Sequence, residues 1–275
     1  MKETTGASVR RSCQVLRVSR SALSRDGSPK TKRATKIDSS FTAEVKEIID
    51  RHPTFGYRRI WALLKGDGRK VNRKRVYRVL KANGWFVNQR TNTPRPRVKK
   101  SRSKALESDT RWAVDVTHIP CGEDGWGHLC AVIDCHDREI VGFEFALRGR
   151  AREAERALEA ACLERFGTLR LHGRAPVLRS DNGLIFQSRR FRRACSDYGL
   201  SQEFITPYTP EQNGMIERFF RSLKEECTWQ QNFESFEEAR RAIEKWIEWY
   251  NAARPHQSLD YKSPREYRKS SLRAA

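Results

Sequence analysis

Two hundred and seventy-five residues, 37% of them apolar with seven Trp and thirteen Phe, suffice for about two domains with buried cores and argue against general disorder. No apolar run approaches the ~20 residues of a membrane span, the N-terminus MKETTGASVRR lacks a signal-peptide core, and seven scattered cysteines without a CxxC pair speak against a disulfide framework, so a soluble, cytoplasmic protein is expected. The net charge of +21 is lopsided: residues 1–110 hold 29 basic and 9 acidic side chains, net +20, whereas residues 111–275 hold 26 and 25, net +1. Solubility needs far less, so a polyanion, nucleic acid, is the expected partner.

In chain order, SVRRSCQVLRVSRSALSR (8–25) hints at a helix, a turn and a helix, the first too short to stand alone. Residues 26–40 are polar, basic and non-periodic, a linker. From Phe41 a helical period begins, with Val45, Ile48 and Ile49 on one face, ending near His52-Pro53. Tyr57, Ile60, Trp61 and Leu64 form a second stripe, and Gly66-Asp67-Gly68 breaks it. Asn72 caps a third helix that turns Val76, Val79 and Leu80 inward and closes at Asn83-Gly84. Its outward face carries Arg73, Lys74, Arg75, Arg78 and Lys81. Three short helices with a basic last one suit a helix-turn-helix; a small bundle with a solvated basic face is the alternative, and the charge asymmetry favours DNA binding. Only His52 precedes residue 118, which argues against a zinc-binding module at the front. TNTPRPRVKKSRSK (91–104) reads as a basic connector that tracks phosphates.

After Lys104 the pattern changes. RWAVDVTHI reads as a strand, and GHLCAVIDCHDREIVGFEFA as two strands joined at Cys135–Arg138. Residues 151–165 are strongly helical, APVLRS is a short strand, 188–197 a helix and LSQEFIT a strand. Pro207 to Pro210 is a loop. Helices follow at about 212–229 and 235–252, the latter burying Phe236, Ile243, Trp246, Ile247 and Tyr250. Strands first, then alternation with helices, predict a mixed α/β sheet covered by helices. The expected division is 1–40 (basic segment and linker), 41–90 (helix-turn-helix), 91–104 (connector) and 105–275 (catalytic core with a helical tail).

Three carboxylates carry the chemical argument. Asp115 lies inside an apolar strand, where a carboxylate is expensive unless paired, hydrogen-bonded or bound to metal. Asp181 begins the Asp-Asn-Gly of RSDNG, which by itself is only a turn. Glu217 shares a helix face with Arg221 and Lys224 and could be a surface ion pair with Arg221. Taken together, an α/β sheet tends to gather functional groups at its strand ends. Three carboxylates held together would repel unless cations neutralised them, and two Mg²⁺ ions against a phosphate suit that need. Asp134, at a hairpin turn, reads as structural, and Cys195 and Cys227 as core.

VDVTHI, RSDNG and PYTPEQNGMIERFFRSLKEE, with thirty-five residues between Asp181 and Glu217 and a Lys seven beyond the Glu, resemble the catalytic core of DDE transposases and retroviral integrases. HPTFGYRRIWALLKGDGRKVNRKRVYRVLKANG and WYNAARPHQSLDYKSPREY are similar to insertion-sequence transposases of the IS-three family, so that the resemblance covers about 41–267. It implies an RNase H-like fold and Mg²⁺-dependent DNA cleavage and strand transfer, with Mn²⁺ able to substitute. Asp115, Asp181 and Glu217 would be the metal ligands. Lys224, with Arg221 on its face, would contact DNA near the scissile phosphate. Tyr208, Gln212 and Asn213 fall on the loop that meets the DNA end in relatives, and Thr117 and His118 lie beside the first Asp. The implied partners are double-stranded DNA, both terminal inverted repeats and target, and further copies of the chain in a synaptic complex. An upstream-frame product fused by frameshifting is a further implied partner, and the partial helix-turn-helix at 7–25 suits it. The expected location is the bacterial cytoplasm, at the nucleoid.

Overall fold

The computed structural model describes residues 8–20, 38–87, 105–171, 173, 175–206 and 209–272. Two compact units divide the chain, Met1–Phe41 and Thr42–Ala275. In the first, α1 (Val9–Val15) starts at Ser8, whose hydroxyl accepts from the Arg11 amide. The connector at 91–104 and most of the linker at 26–40 lie outside the described residues, but Ser39 and Ser40, expected in that linker, already open α2 (Ser39–Arg51).

The next two helices are α3 (Tyr57–Gly66) and α4 (Arg73–Asn83). Their amphipathic stripes explain why they pack: Val45, Ile48, Ile60, Leu64, Val76, Val79 and Leu80 are buried. The Asn72 side chain accepts from the Lys74 amide to cap α4, and Gly84 ends it at φ +69, a left-handed position that costs glycine nothing. The Trp61 indole donates to the Val71 carbonyl at 2.9 Å, fixing the turn between the two helices.

The remainder is a five-stranded sheet: β1 (Arg111–Pro120), β2 (Trp126–Asp134), β3 (Ile140–Ala146), β4 (Val177–Ser180) and β5 (Ser201–Phe204) in the order β3-β2-β1-β4-β5. β1–β2 and β2–β3 are antiparallel, while β1–β4 and β4–β5 are parallel. Between them come α5 (Ala151–Phe166), the short α6 (Leu184–Gln187) and α7 (Arg189–Asp197). After β5 follow α8 (Gly214–Leu223), a π-helical turn (Lys224–Thr228), α9 (Phe236–Ala252) and α10 (Pro264–Leu272).

Strand alternation builds two cores from one sheet. Trp112, Val114, Cys130 and Val132 face α5 and α7, packing with Leu158, Ala161, Phe191 and Cys195. Ala113, Ile119, Leu129, Ala131 and Ile133 face α8 and α9, with Phe219, Leu223, Ile243 and Ile247. A Cβ at Gly142 would stand 2.3 Å from the Ala157 carbonyl oxygen, so glycine lets α5 sit against β3.

Asp134 is fully buried and accepts from the amides of Asp109, His136 and Asp137, a turn-building role. Burial, then the Asp137 charge, lifts its pKa to about 6. Arg165 bridges Asp137 at 3.1 Å and Glu139 at 3.2 Å, and Glu139 reaches Arg265 of α10 at 3.1 Å. The tail is thus tied to the β2–β3 turn. Asn251 adds a second tie, accepting from the Ile140 amide and donating to its carbonyl, each at 2.9 Å.

Candidate active site

The register of β1 and β4 sets the site. Ala113 lies opposite Arg179 in the parallel pair. Two residues on from each stand Asp115 and Asp181, so the two carboxylates leave neighbouring chains at matching heights; parallel neighbours lie ~4.8 Å apart. Asp115 shares the parity of Ala113, which faces α8, the helix that carries Glu217.

Burial pushes the Asp115 carboxyl up to about 7; the Asp181 and Glu217 charges push the same way, while Lys224 and a 2.8 Å hydrogen bond from the Val116 amide oppose them. Glu217 is exposed at the surface of α8, and partial desolvation, then Glu211, raises its pKa. Asp181 accepts from the Gly183 amide at 2.9 Å. Gly183 has an ordinary φ of −65°, but a Cβ there would meet Asp181 Oδ1 at 2.9 Å. The glycine therefore leaves room for the carboxylate. Among the described residues no three His, Cys, Asp and Glu side chains stand close enough together to hold a metal ion outright. The donor chemistry is nonetheless that of a hard cation: carboxylates that burial, and to a lesser extent one another's charge, disfavour and that a divalent ion would neutralise.

The other expected site residues fall in different places. Thr117 is buried, and exposed His118 meets His128 edge-on at 4.7 Å. Gln212 is occupied: its side chain bonds Thr206 through both the amide and the hydroxyl, closing the loop before α8. Asn213 is 2% exposed, reaches the Val114 carbonyl at 3.5 Å and leaves Oδ1 with no hydrogen-bond partner among the described residues. Tyr208 lies outside the described residues. Arg221 pairs with Glu225 at 2.9 Å, not with Glu217, so the surface-pair alternative for Glu217 does not hold. The expected continuous helix from about 212 to 229 is instead a 3-10 turn (Pro210–Asn213), α8 and the π turn that starts at Lys224. Arg73, Lys74, Arg75, Arg78 and Lys81 are all exposed on α4, Arg73 also lying over the Trp61 ring.

Arg179 went unread in the sequence. Buried on β4, it forks onto Glu203 and donates to the Gln212 carbonyl at 3.0 Å, tying β4 to the loop before Glu217. A charge inside an apolar strand was its signal, the same that marked Asp115.

Residues 36–92 match the family described as HTH-like domain, and residues 105–210 and 198–264 match two described as Integrase core domain. Transposase InsD for insertion element IS2A/D/F/H/I/K of Escherichia coli is 28% identical over 236 residues, 84% of this chain and 78% of that protein. The simian T-cell lymphotropic virus intasome in complex with PP2A regulatory subunit B56 gamma aligns at a TM-score of 0.49 and 16% identity over 82% of this chain and 74% of that one. The catalytic core domain of BIV integrase aligns at 0.42 and 21% identity, over 60% and 97%. An HTH-like domain ahead of an integrase core on a mixed five-stranded sheet defines a DDE polynucleotidyl transferase. These matches support a DDE transposase, similar to the insertion-element transposase InsD. The chain is a DNA-binding enzyme, and among its described residues no helix is long and apolar enough to cross a membrane.

Proposed function

We propose that this transposase cuts DNA at the ends of its element and joins them to target DNA by direct in-line phosphoryl transfer at Asp115, Asp181 and Glu217. The observation that supports this reading most is the Asp115 carboxyl, pushed up to about 7 by burial first and then by the charges of Asp181 and Glu217, residues 66 and 102 positions away in sequence. A largely buried carboxylate that also feels two further acid charges is costly without a cation. They would hold two Mg²⁺ ions, Mn²⁺ substituting, which when bound neutralise charge and polarise the attacking and leaving oxygens.

The chain's own groups do the positioning. Asp115, on the central strand β1, is held in place by pairing opposite Ala131 of β2. Asp181 is aimed by the Gly183 amide. Lys224 supplies a cation beside Asp115 where a scissile phosphate would lie. Arg179 and the Gln212 clip hold the approach to α8 at a fixed height. The basic face of α4, Arg73 to Lys81, would lie on duplex DNA of the terminal repeats, with the helix-turn-helix at 41–90 as recognition module and 105–275 as catalytic core. Copies of the chain would assemble with both element ends, and an upstream-frame product could complete repeat recognition.

Labelled element-end duplex incubated with the full chain and Mg²⁺ or Mn²⁺ tests this reading. Joined strand-transfer products are expected; hydrolysis without joining would make it a nuclease of the same fold. Asp115→Asn should cut the rate by about 10²–10³-fold or more while duplex affinity stays within about twofold. Undiminished cleavage in that variant would refute the site assignment.

A further inference from the structure

We propose that the cleft between the helix-turn-helix module and α8 is a second nucleic-acid site, one that takes unpaired nucleotides of a DNA strand. The proposal rests on the strand-transfer reading above and extends it to a substrate form.

The cleft encloses about 1330 Å³ and lies wholly within the unit Thr42–Ala275. Six arginines line it: Arg58 and Arg59 from α3, Arg138 from the β2–β3 turn, Arg218 and Arg221 from α8, and Arg254 after α9. Glu225 is the one carboxylate among the described lining residues. Internal pairing accounts for part of the charge. Arg221 holds Glu225, while Arg59 and Arg254 share Glu226 beneath the floor at 3.0 and 2.5 Å. Arg138 and Arg218 have no carboxylate partner among the described residues. Arg138 is also partly buried and held at a left-handed φ of 63°, so its guanidinium is committed to the cleft at some backbone cost. Burial and the nearby Arg218 and Arg254 lower its pKa, the mark of a cation set among cations. A phosphate backbone would relieve that repulsion.

The aromatic lining points to unpaired nucleotides. Tyr57 meets Tyr77 edge-on at 5.2 Å, Tyr77 meets Phe86 at 5.2 Å, and Tyr261 meets Trp61 edge-on at 5.5 Å. Tyr77 and Phe86 are 40% and 42% exposed, large rings left open inside a basic cleft. In a duplex each base already stacks on its neighbours, so such rings gain little from it, whereas an unstacked base gains a platform. On α8 the cleft takes Gly214, Arg218, Arg221 and Ser222, the flank of the helix next to the one that carries Glu217. The connector that follows Val87 is itself basic in sequence, which makes it an unsuitable occupant.

Fluorescence anisotropy of the full chain with labelled oligothymidylate of about ten nucleotides, and separately with labelled duplex, tests this. Phe86→Ala with Arg218→Gln, both at exposed positions, should weaken single-strand binding about tenfold or more and duplex binding less than about twofold. An unchanged melting midpoint shows that the variant is folded; Tyr57→Leu serves as a second variant. Unchanged single-strand affinity, or an equal loss for duplex, would overturn the proposal. The two readings fail separately. Asp115→Asn should keep single-strand affinity whether or not strand transfer occurs, so a chain that discriminates strands without joining them retains the cleft and loses the enzymatic assignment.

Discussion

At the scale of single residues, Gly183 is the position where the smallest change reaches the chemistry. Its φ suits any residue, so the requirement is space alone: an added methyl would displace the Asp181 carboxylate. Gly183→Ala is expected to lower strand transfer about 10–100-fold while the melting midpoint stays nearly constant, because a displacement of about 1 Å costs that much in a positioned site. His256 gives a pH prediction. Burial, followed by the charges of Arg254, Arg138 and Arg59, pushes its pKa down to about 2. The unfolded chain then takes up a proton that the folded one refuses. The contribution of His256 is therefore whole above its ordinary 6.5 and is lost as pH falls from there toward 2, by about 2 kcal/mol at pH 5. Urea titrations at pH 7 and pH 5 should show His256→Gln losing less stability between the two than the natural sequence does; equal losses would contradict the assignment.

At the scale of elements, the sheet carries the candidate site because Asp115, midway along β1, and Asp181, just past the end of the parallel β4, stand at matching heights, and because α8 crosses the face that Asp115 shares. β3 matters less for chemistry than for closure. Its first residue, Ile140, is held by the Asn251 side chain from α9 rather than by a further strand. Asn251→Ala would leave a buried donor and acceptor unpaired and should cost about 2–4 kcal/mol, read from the urea midpoint. Periodicity exposed nearly all of these elements. It did not show the π turn at Lys224, since a five-residue hydrogen-bond register leaves no separate mark in an apolar stripe. That turn sets where Lys224 and Glu226 sit relative to Glu217.

At the scale of the whole unit, the helix-turn-helix module and the catalytic core are joined by contacts that no local pattern announces. His52 stacks on Trp249 at 5.0 Å, and Glu226 receives Arg59 from one side and Arg254 from the other. Arg254 is 4% exposed in its side chain, so Glu226→Leu would strand a buried cation and should cost about 3–5 kcal/mol. Adding Arg254→Met to that variant should recover most of the loss, measured as the difference in unfolding free energy. Arg59, 36% exposed, contributes little to that figure. If the double variant were no more stable than the single one, the pair would not be the joint between the two parts.

What this sequence determined alone is what local chemistry can encode: helix caps at Asn72 and Gly84, the alternation that makes β1 a two-faced strand, the concentration of positive charge before residue 110, and a carboxylate where an apolar side chain was due. Spacing then linked Asp115, Asp181 and Glu217 through their resemblance to a known core. Tertiary structure alone decided that Asn213 is buried and Gln212 spent on its own loop, that Arg221 turns to Glu225, and that six arginines converge on one cleft. The physical reason is sequence distance. Residues such as Arg59, Arg138 and Arg254 are ordinary surface cations until packing brings them together, and only then does their repulsion define a site.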